Sequence, residues 1–135
     1  MAAAVADYRP VQPRDRKIKK GDANLSLDLE RTEDILAEVG RIKGNRIVVG
    51  FAAETDRVVD NARVKLVDKG ADLIVANDVS AADAGFDVET NRVTLVSPSD
   101  TVELPLMSKR EVADRILDAV ARIRKTALDL DSVTQ

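Results

Sequence analysis

A chain of 135 residues, with 21 Lys and Arg against 24 Asp and Glu, is long enough for one domain around one core. It has no cysteine and no histidine, which excludes disulfides, thiolate and imidazole metal sites, and every catalytic triad built on His. Its aromatic residues (Tyr8, Phe51 and Phe86) are too few to stack single-stranded nucleic acid, and no apolar run is long enough to span a membrane.

The remaining chemistry rests on Lys, Arg, Asp, Glu, Asn and the backbone. The start MAAAVADY lacks the basic segment of a signal peptide, and a cysteine-free chain suits a reducing cytoplasm, so a cytoplasmic location is expected.

In chain order, Ala2–Ala6 is apolar and reads as a buried strand ending at Asp7. Residues 9–23 read as a loop broken by Pro10, Pro13 and Gly21. This loop gathers Arg9, Arg14, Arg16, Lys17, Lys19 and Lys20 against Asp15 alone, in a chain of net charge −3. Such a run is usually solvated or a weak polyanion patch. The sharper alternative is a loop that closes over a phosphorylated substrate and excludes water. Leu25, Leu27 and Leu29 alternate with polar residues, which predicts a half-buried strand. Thr32 is placed to cap a helix with Glu33 and Asp34 in its first turn and Ile35, Leu36, Val39 and Ile42 along its apolar stripe.

IVVGF at 47–51 is continuously apolar and suits a strand buried on both faces of a parallel sheet. A helix should follow from about Asp56 to Lys69, closed by Gly70, and LIVA at 73–76 reads as the next strand, ending at Asn77. Residues 47–76 thus form a strand–helix–strand unit with a right-handed crossover. Residues 86–104 read as two or three short strands, with turns at Glu89–Asn91 and Pro98–Asp100. Ser108 and Glu111 form a capping box opening a long helix with Val112, Ile116, Leu117, Val120 and Ile123 on one face. The expected organisation is one domain over 1–127 and a frayed polar tail over 128–135. The expected fold is α/β: a Rossmann-like, mostly parallel sheet with flanking helices, incomplete at its N-terminus, plus a β-hairpin region near the C-terminus.

Ligands of open α/β sheets bind beyond the carboxyl ends of the strands. Here those ends would be Asp7–Arg9, Gly50–Thr55 and Asn77–Ser80, although ordinary turn chemistry competes as an explanation for each. On a helical wheel of residues 56–69, Val58, Val59, Ala62 and Leu66 share one sector, and Lys65 and Lys69 fall at its edge. Either they snorkel, or both ammonium groups face a polyanion such as a triphosphate. The second option meets a difficulty, because this helix carries its C-terminus away from the rim.

Three segments carry a resemblance: AAVADYRP at 3–10 followed by KIKK at 17–20, GFAAET at 50–55, and ANDVS at 76–80. In this order and spacing they resemble bacterial phosphopantothenoylcysteine synthetase, usually the C-terminal part of a bifunctional protein whose other half is a flavin-dependent decarboxylase. LPLMSKREVADRILDAV also resembles the end of that family, so the likeness covers about residues 2–122. The resemblance implies ligation of 4′-phosphopantothenate to L-cysteine with CTP and a divalent metal, usually Mg2+, through an acyl-cytidylate. It implies nucleotide contacts from Ala3, Asp7, Glu33, Asp34, Ile35, Leu36, Phe51, Lys65 and Lys69. Lys17 is implied to be a catalytic lysine on a mobile flap, with Lys19 and Lys20 beside it. Asn77 lies in a family motif without an assigned role, and the metal ligands are unknown. The family further implies a homodimer, with the LSLDLE strand and the strands at 86–104 as candidate surfaces. A complete synthetase domain carries a glycine-rich segment and a catalytic asparagine ahead of AAVADYRP, so the chain is expected to be the C-terminal part of such a domain. The competing expectation is an inactive nucleotide-binding or dimerisation fragment; a nucleic-acid or membrane partner is not expected.

Overall fold

The computed structural model describes residues 5–13, 16, 25–80 and 89–133, with side chains described as far as Asp129. Two units emerge, Met1–Ile35 and Leu36–Gln135. The N-terminal unit holds a small antiparallel ribbon of β1 (Tyr8–Pro10) and β2 (Leu29–Arg31), in the register Tyr8↔Arg31, Arg9↔Glu30, Pro10↔Leu29. Arg9 Nε donates to Glu30 Oε1 at 2.8 Å, so one cation of the basic segment is spent on its cross-strand neighbour.

This ribbon corrects two expectations. Val5 and Ala6 lie in no strand and are exposed, and ladder pairing with β2 starts at Tyr8. Ala2–Ala4 fall outside the described residues. Leu25 and Leu27 precede the strand, and Leu25, Leu27 and Leu29 are 58%, 58% and 55% exposed. Their alternation predicts a face to bury, yet a two-stranded ribbon supplies no second layer. Thr32 also takes a different partner. Its hydroxyl donates to the Ala6 carbonyl at 2.5 Å and its N–H to the Asp7 carbonyl at 3.0 Å, while α1 (Ile35–Arg41) starts later. The threonine extends the ribbon instead of capping the helix.

In the larger unit a four-stranded sheet has the order β3 (Val49–Glu54), β4 (Leu73–Asp78), β6 (Val93–Val96), β7 (Thr101–Glu103). β5 (Thr90–Asn91) pairs separately with β8 (Met107–Ser108). The α/β class and the β3–α2–β4 unit are as expected, with α2 spanning Val58–Asp68. The sheet itself is mixed: β3 and β4 run parallel, but β4–β6 and β6–β7 are antiparallel. The four residues 97–100 join β6 to β7, a return short enough for antiparallel neighbours but not for the crossover that parallel pairing needs. Thr90–Asn91 are strand residues, not the expected turn. The turn near Pro98 is present, with Ser97 N–H donating to the Asp100 carbonyl at 2.9 Å.

Strand parity divides the core into two layers. Ala52, Ile74, Ala76 and Val96 pack with Ala62 and Leu66 of α2 and with Leu36. Leu73, Val75, Val93, Leu95 and Leu104 pack with Val112 and Ala119 of α3 (Lys109–Val133). β4, in the middle, is buried on both faces as IVVGF was expected to be, whereas β3 alternates buried and open positions because β4 is its only described neighbour.

The end of α2 and the start of α3 fall where the sequence places them. Gly70, at φ +57°, terminates α2: its N–H donates to the Val67 carbonyl at 3.1 Å and that of Ala71 to Leu66 at 3.1 Å, a Schellman closure. Gly40 of α1 is required for another reason, since a Cβ there would stand 1.8 Å from the Lys69 carbonyl oxygen. At the start of α3, Ser108 Oγ donates to Glu111 Oε2 at 2.7 Å and accepts the Glu111 N–H at 3.2 Å, completing the capping box. Glu111 Oε2 also accepts the Ser108 N–H at 2.9 Å, and the hydroxyl and N–H of Ser108 together hold the Glu111 carboxyl below the usual range. The helix continues through Val133, past the start of the polar tail at 128.

Candidate functional site

The carboxyl ends of β3 and β4 lie side by side, in the register Ala53↔Asn77 and Glu54↔Asp78. Parity sends Phe51, Ala53 and Asn77 to the α3 side of the sheet and Glu54 and Asp78 to the α2 side. On the α3 side α3 covers the middle of the sheet but leaves Phe51 64% exposed. An aromatic ring left open on a strand, beside small Ala53 and polar Asn77, offers a flat surface with a hydrogen-bonding rim.

Asn77 is not the residue after the strand, as LIVA suggested, but its fifth, and its side-chain oxygen accepts from Asn91 Nδ2 at 2.6 Å. Next to it, Asp78 Oδ1 accepts the Ser80 hydroxyl at 2.6 Å and the Ser80 N–H at 3.0 Å. Those bonds, foremost the hydroxyl, hold its carboxyl below the usual range. Asp78 and Ser80 are thus closed on each other within ANDVS.

On the α2 side, Glu54 is 8% exposed and is met by two groups one helical turn apart. Asn61 Nδ2 donates to its Oε2 at 3.0 Å, and Lys65 Nζ to its Oε1 at 2.7 Å. The wheel correctly turned Lys65 toward the sheet, but the partner it finds is a buried carboxylate. Lys69 is the C-cap residue of α2, and its backbone belongs with Gly40, Gly70 and the starts of the strands. The structure therefore places Lys65 by the rim and Lys69 one turn away from it. Phe51 and Lys65 stand on opposite faces of β3.

An open cleft of about 610 Å3 on the α2 side involves Arg57, Asp60, Asp78, Arg92, Thr94 and Glu103. It mixes both charge signs, and Arg57 reaches Asp60 at 3.3 Å, so it lacks the one-signed field of a polyanion site.

Of the other expected residues, Leu36 is half-buried and packs on the α2-side core, where Gly50 leaves space for it. Ile35 opens α1, and its N–H is donated to the Glu33 carbonyl at 3.1 Å. Glu33 and Asp34 precede the helix instead of occupying its first turn, where Glu38 sits. Asp7 is exposed, with its carbonyl taken by Thr32. Ala3, Lys17, Lys19 and Lys20 lie outside the described residues. Sequence reasoning missed Glu54, Asn61 and Asn91. The first two carried a signal: the acid is the fifth residue of GFAAET and the last of β3, and Asn61 and Lys65 share a helical face at i,i+4. Asn91 carried none, because its partner comes from a different strand pair.

A Rossmann-like α/β unit with polar strand ends at one rim is a ligand-binding class of protein. Over residues 1–123 the chain matches the profile of the DNA/pantothenate metabolism flavoprotein C-terminal domain, and it belongs to that family. It is 49% identical over 124 residues to the coenzyme A biosynthesis bifunctional protein CoaBC of Bacillus subtilis (strain 168), covering 91% of this chain and 30% of that protein. With CoaBC of Vibrio cholerae it shares 44% over 121 residues, covering 87% and 30%. Among solved structures, the C-terminal domain of a CoaBC protein superposes with a TM-score of 0.65 at 38% identity, covering 94% of this chain and 53% of that one. The DNA/pantothenate metabolism flavoprotein from Streptococcus pneumoniae gives 0.66 at 26%, covering 88% and 60%. The chain therefore spans just over half of that solved domain and under a third of the bifunctional proteins.

Proposed function

We propose that this chain supplies the nucleotide-binding and flap part of a phosphopantothenate–cysteine ligase of coenzyme A biosynthesis. The observation that carries this reading is the 49% identity to a CoaBC protein across nearly the whole chain. The open Phe51–Ala53–Asn77 surface at the strand ends supports it as a place for part of a nucleotide. In the reaction proposed, the carboxylate of 4′-phosphopantothenate attacks CTP at the α-phosphorus and pyrophosphate leaves. The amine of cysteine then attacks the acyl carbon of the cytidylate, and CMP departs. Lys17 would neutralise charge building on the phosphates as the flap closes, with Lys19 and Lys20 beside it, and Lys65 and Lys69 would add positive charge to the nucleotide site. Asp7 and Ala3, and the segment Glu33–Leu36, would contact the nucleotide. Among the described residues no group of His, Cys, Asp or Glu gathers to hold an ion, so Mg2+ would arrive on the nucleotide phosphates. Likewise, no described helix is long and apolar enough to cross a membrane, and a cytoplasmic setting is proposed with the function.

A second reading, a nucleotide-binding or dimerising module without turnover of its own, is favoured by the coverage of only 53% of the solved domain. In both readings the exposed Leu25, Leu27 and Leu29 are proposed to pack in a homodimer. Calorimetric titration with CTP and Mg2+ should show binding; no heat at millimolar nucleotide would refute both readings. Pyrophosphate release from phosphopantothenate and CTP, with and without the remainder of a synthetase domain, separates them. Turnover that appears only in the complemented enzyme, and is impaired by Lys17→Gln more than CTP affinity is, supports the first.

A further inference from the structure

Two asparagine side chains in the larger unit are wired in series. Asn91 Oδ1 accepts the backbone N–H of Arg92 at 3.0 Å, which leaves its amide nitrogen facing the other way. That nitrogen donates to Asn77 Oδ1 at 2.6 Å. A carboxamide has one accepting end and one donating end. With the oxygen of Asn77 occupied, its NH2 is the end left over, and it has no partner among the described residues. A single backbone N–H thus propagates an orientation through two amides.

The anchor of this chain is firm. Asn91 pairs with Met107 of β8, Asp78 N–H donates to the Arg92 carbonyl at 3.2 Å, and Lys109 N–H donates to the Glu89 carbonyl at 2.9 Å. The start of α3, fixed by its capping box, therefore holds the strand that holds Asn91. Asn77 stands at the carboxyl end of β4, cross-strand from Ala53 and on the same face as exposed Phe51. Diagonal neighbours on one face are about 7–8 Å apart, within the span of one ligand group.

We infer that Asn91 is a positioning residue: it fixes the polarity of the Asn77 amide so that a donor, not an acceptor, faces the ligand beside Phe51. The inference rests on the nucleotide reading and sharpens it. The group received by Asn77 is a hydrogen-bond acceptor, an oxygen of the phosphates or of the base.

The test replaces the donor that sets the polarity. In Asn91→Asp one carboxylate oxygen still accepts the Arg92 N–H, but the other can no longer donate to Asn77, which turns its NH2 inward and its oxygen outward. Titrations with CTP and Mg2+ are made on the 135-residue chain and on Asn91→Asp, Asn91→Ala, Asn77→Ala and the Asn77→Ala/Asn91→Asp pair. Asn91→Asp should weaken binding about tenfold and Asn91→Ala less, since alanine leaves Asn77 free to choose. In the Asn77→Ala background, Asn91→Asp should change nothing further, a coupling that a general structural loss would not give. Repeating the series with pyrophosphate and with cytidine tells a phosphate oxygen from a base oxygen, because the effect follows the ligand that carries the contact. Binding by the parent chain with equal affinity in Asn91→Asp overturns the inference and leaves the nucleotide reading intact. An equal loss in both backgrounds also overturns it. No binding by the parent chain overturns the nucleotide reading and this inference with it. Melting temperatures of all variants identify any that do not fold. Should Asn91→Asp be among them, the Asn91→Ala effect is compared in the two Asn77 backgrounds instead.

Discussion

Lys65→Met tests how the Glu54 carboxylate is tolerated and whether Lys65 has a second task. The substitution keeps an unbranched side chain of similar length and deletes the ammonium 2.7 Å from Glu54 Oε1. Glu54 is then left with Asn61 alone, in a side chain only 9% exposed. Removing one partner of a fully buried pair costs about 3–5 kcal/mol, whereas exposed pairs contribute about 0.2–1 kcal/mol. The Lys65 side chain is 43% exposed, so water screens the pair from one side and the cost should fall near 2 kcal/mol. For a chain of this size that corresponds to a fall in melting temperature of very roughly 5–10 °C. Adding Glu54→Gln should return most of the loss, because the neutral amide can still accept from Asn61 and no charge is stranded. Urea unfolding followed by circular dichroism measures both variants. A Lys65→Met chain within about 0.5 kcal/mol of the parent would refute the burial argument. The repaired double variant then becomes the reagent for function: folded, yet without the ammonium. If Lys65 also meets a triphosphate, it binds CTP at least about tenfold more weakly than the parent, and equal affinity would confine Lys65 to structure.

Phe51→Ala should leave stability nearly unchanged, because the ring is 64% exposed, and should weaken CTP binding; a large loss of stability with unchanged affinity would show the ring to be packed in solution. Gly40→Ala should destabilise by about 1–3 kcal/mol despite alanine's better helix propensity, because its Cβ meets backbone 1.8 Å away that cannot swing aside; urea midpoints equal to the parent would refute the close approach. The capping box predicts a pH effect. The folded carboxyl of Glu111 is depressed below its ordinary 4.5, so its contribution is complete above that value and is lost as pH falls through the lower folded value. Helicity followed down an acid titration should therefore fall less steeply in Ser108→Ala than in the parent, and identical profiles would count against the box.

Local signals were the ones legible in the sequence. Gly70, the Ser108–Glu111 pair and the Pro98 turn each act through bonds within a few residues, and each is found where the residues place it. The readings that failed needed a partner from elsewhere. Leu25, Leu27 and Leu29 alternate as a strand should, but alternation states only that a face exists, not that another layer covers it. Thr32 is a good capping residue by type, and the ribbon carbonyl of Ala6 outcompetes the helix for its hydroxyl. The sheet's mixed direction was hidden because VTLV after LIVA is equally apolar in either orientation. For the candidate site, the motif positions Phe51, Lys65 and Asn77 could be named from sequence, while their partners Glu54, Asn61 and Asn91 emerge only once strands and helix are assembled.

The parity of β3 adds a constraint that the motif alone does not contain. Phe51 and Lys65 are both expected to touch the nucleotide, yet Phe51 faces the α3 side and Lys65 meets Glu54 on the α2 side. A six-residue strand cannot bring both faces to one flat ligand in the middle of a sheet. Two features of this strand relax the conflict. β4 is its only neighbour among the described residues, so its outer edge is open there, and Lys65 reaches its last residue, at the rim. A nucleotide contacting both groups must therefore cross the carboxyl end of β3, with one part against Phe51 and another directed toward the Glu54–Lys65 pair. That path brings anionic phosphates toward a carboxylate, and the ammonium of Lys65, 2.7 Å from it, is placed to offset the repulsion. On the proposed nucleotide reading, the residue that pairs with the buried acid in the free protein is also the one the phosphates would meet, and binding should redistribute Lys65 between them.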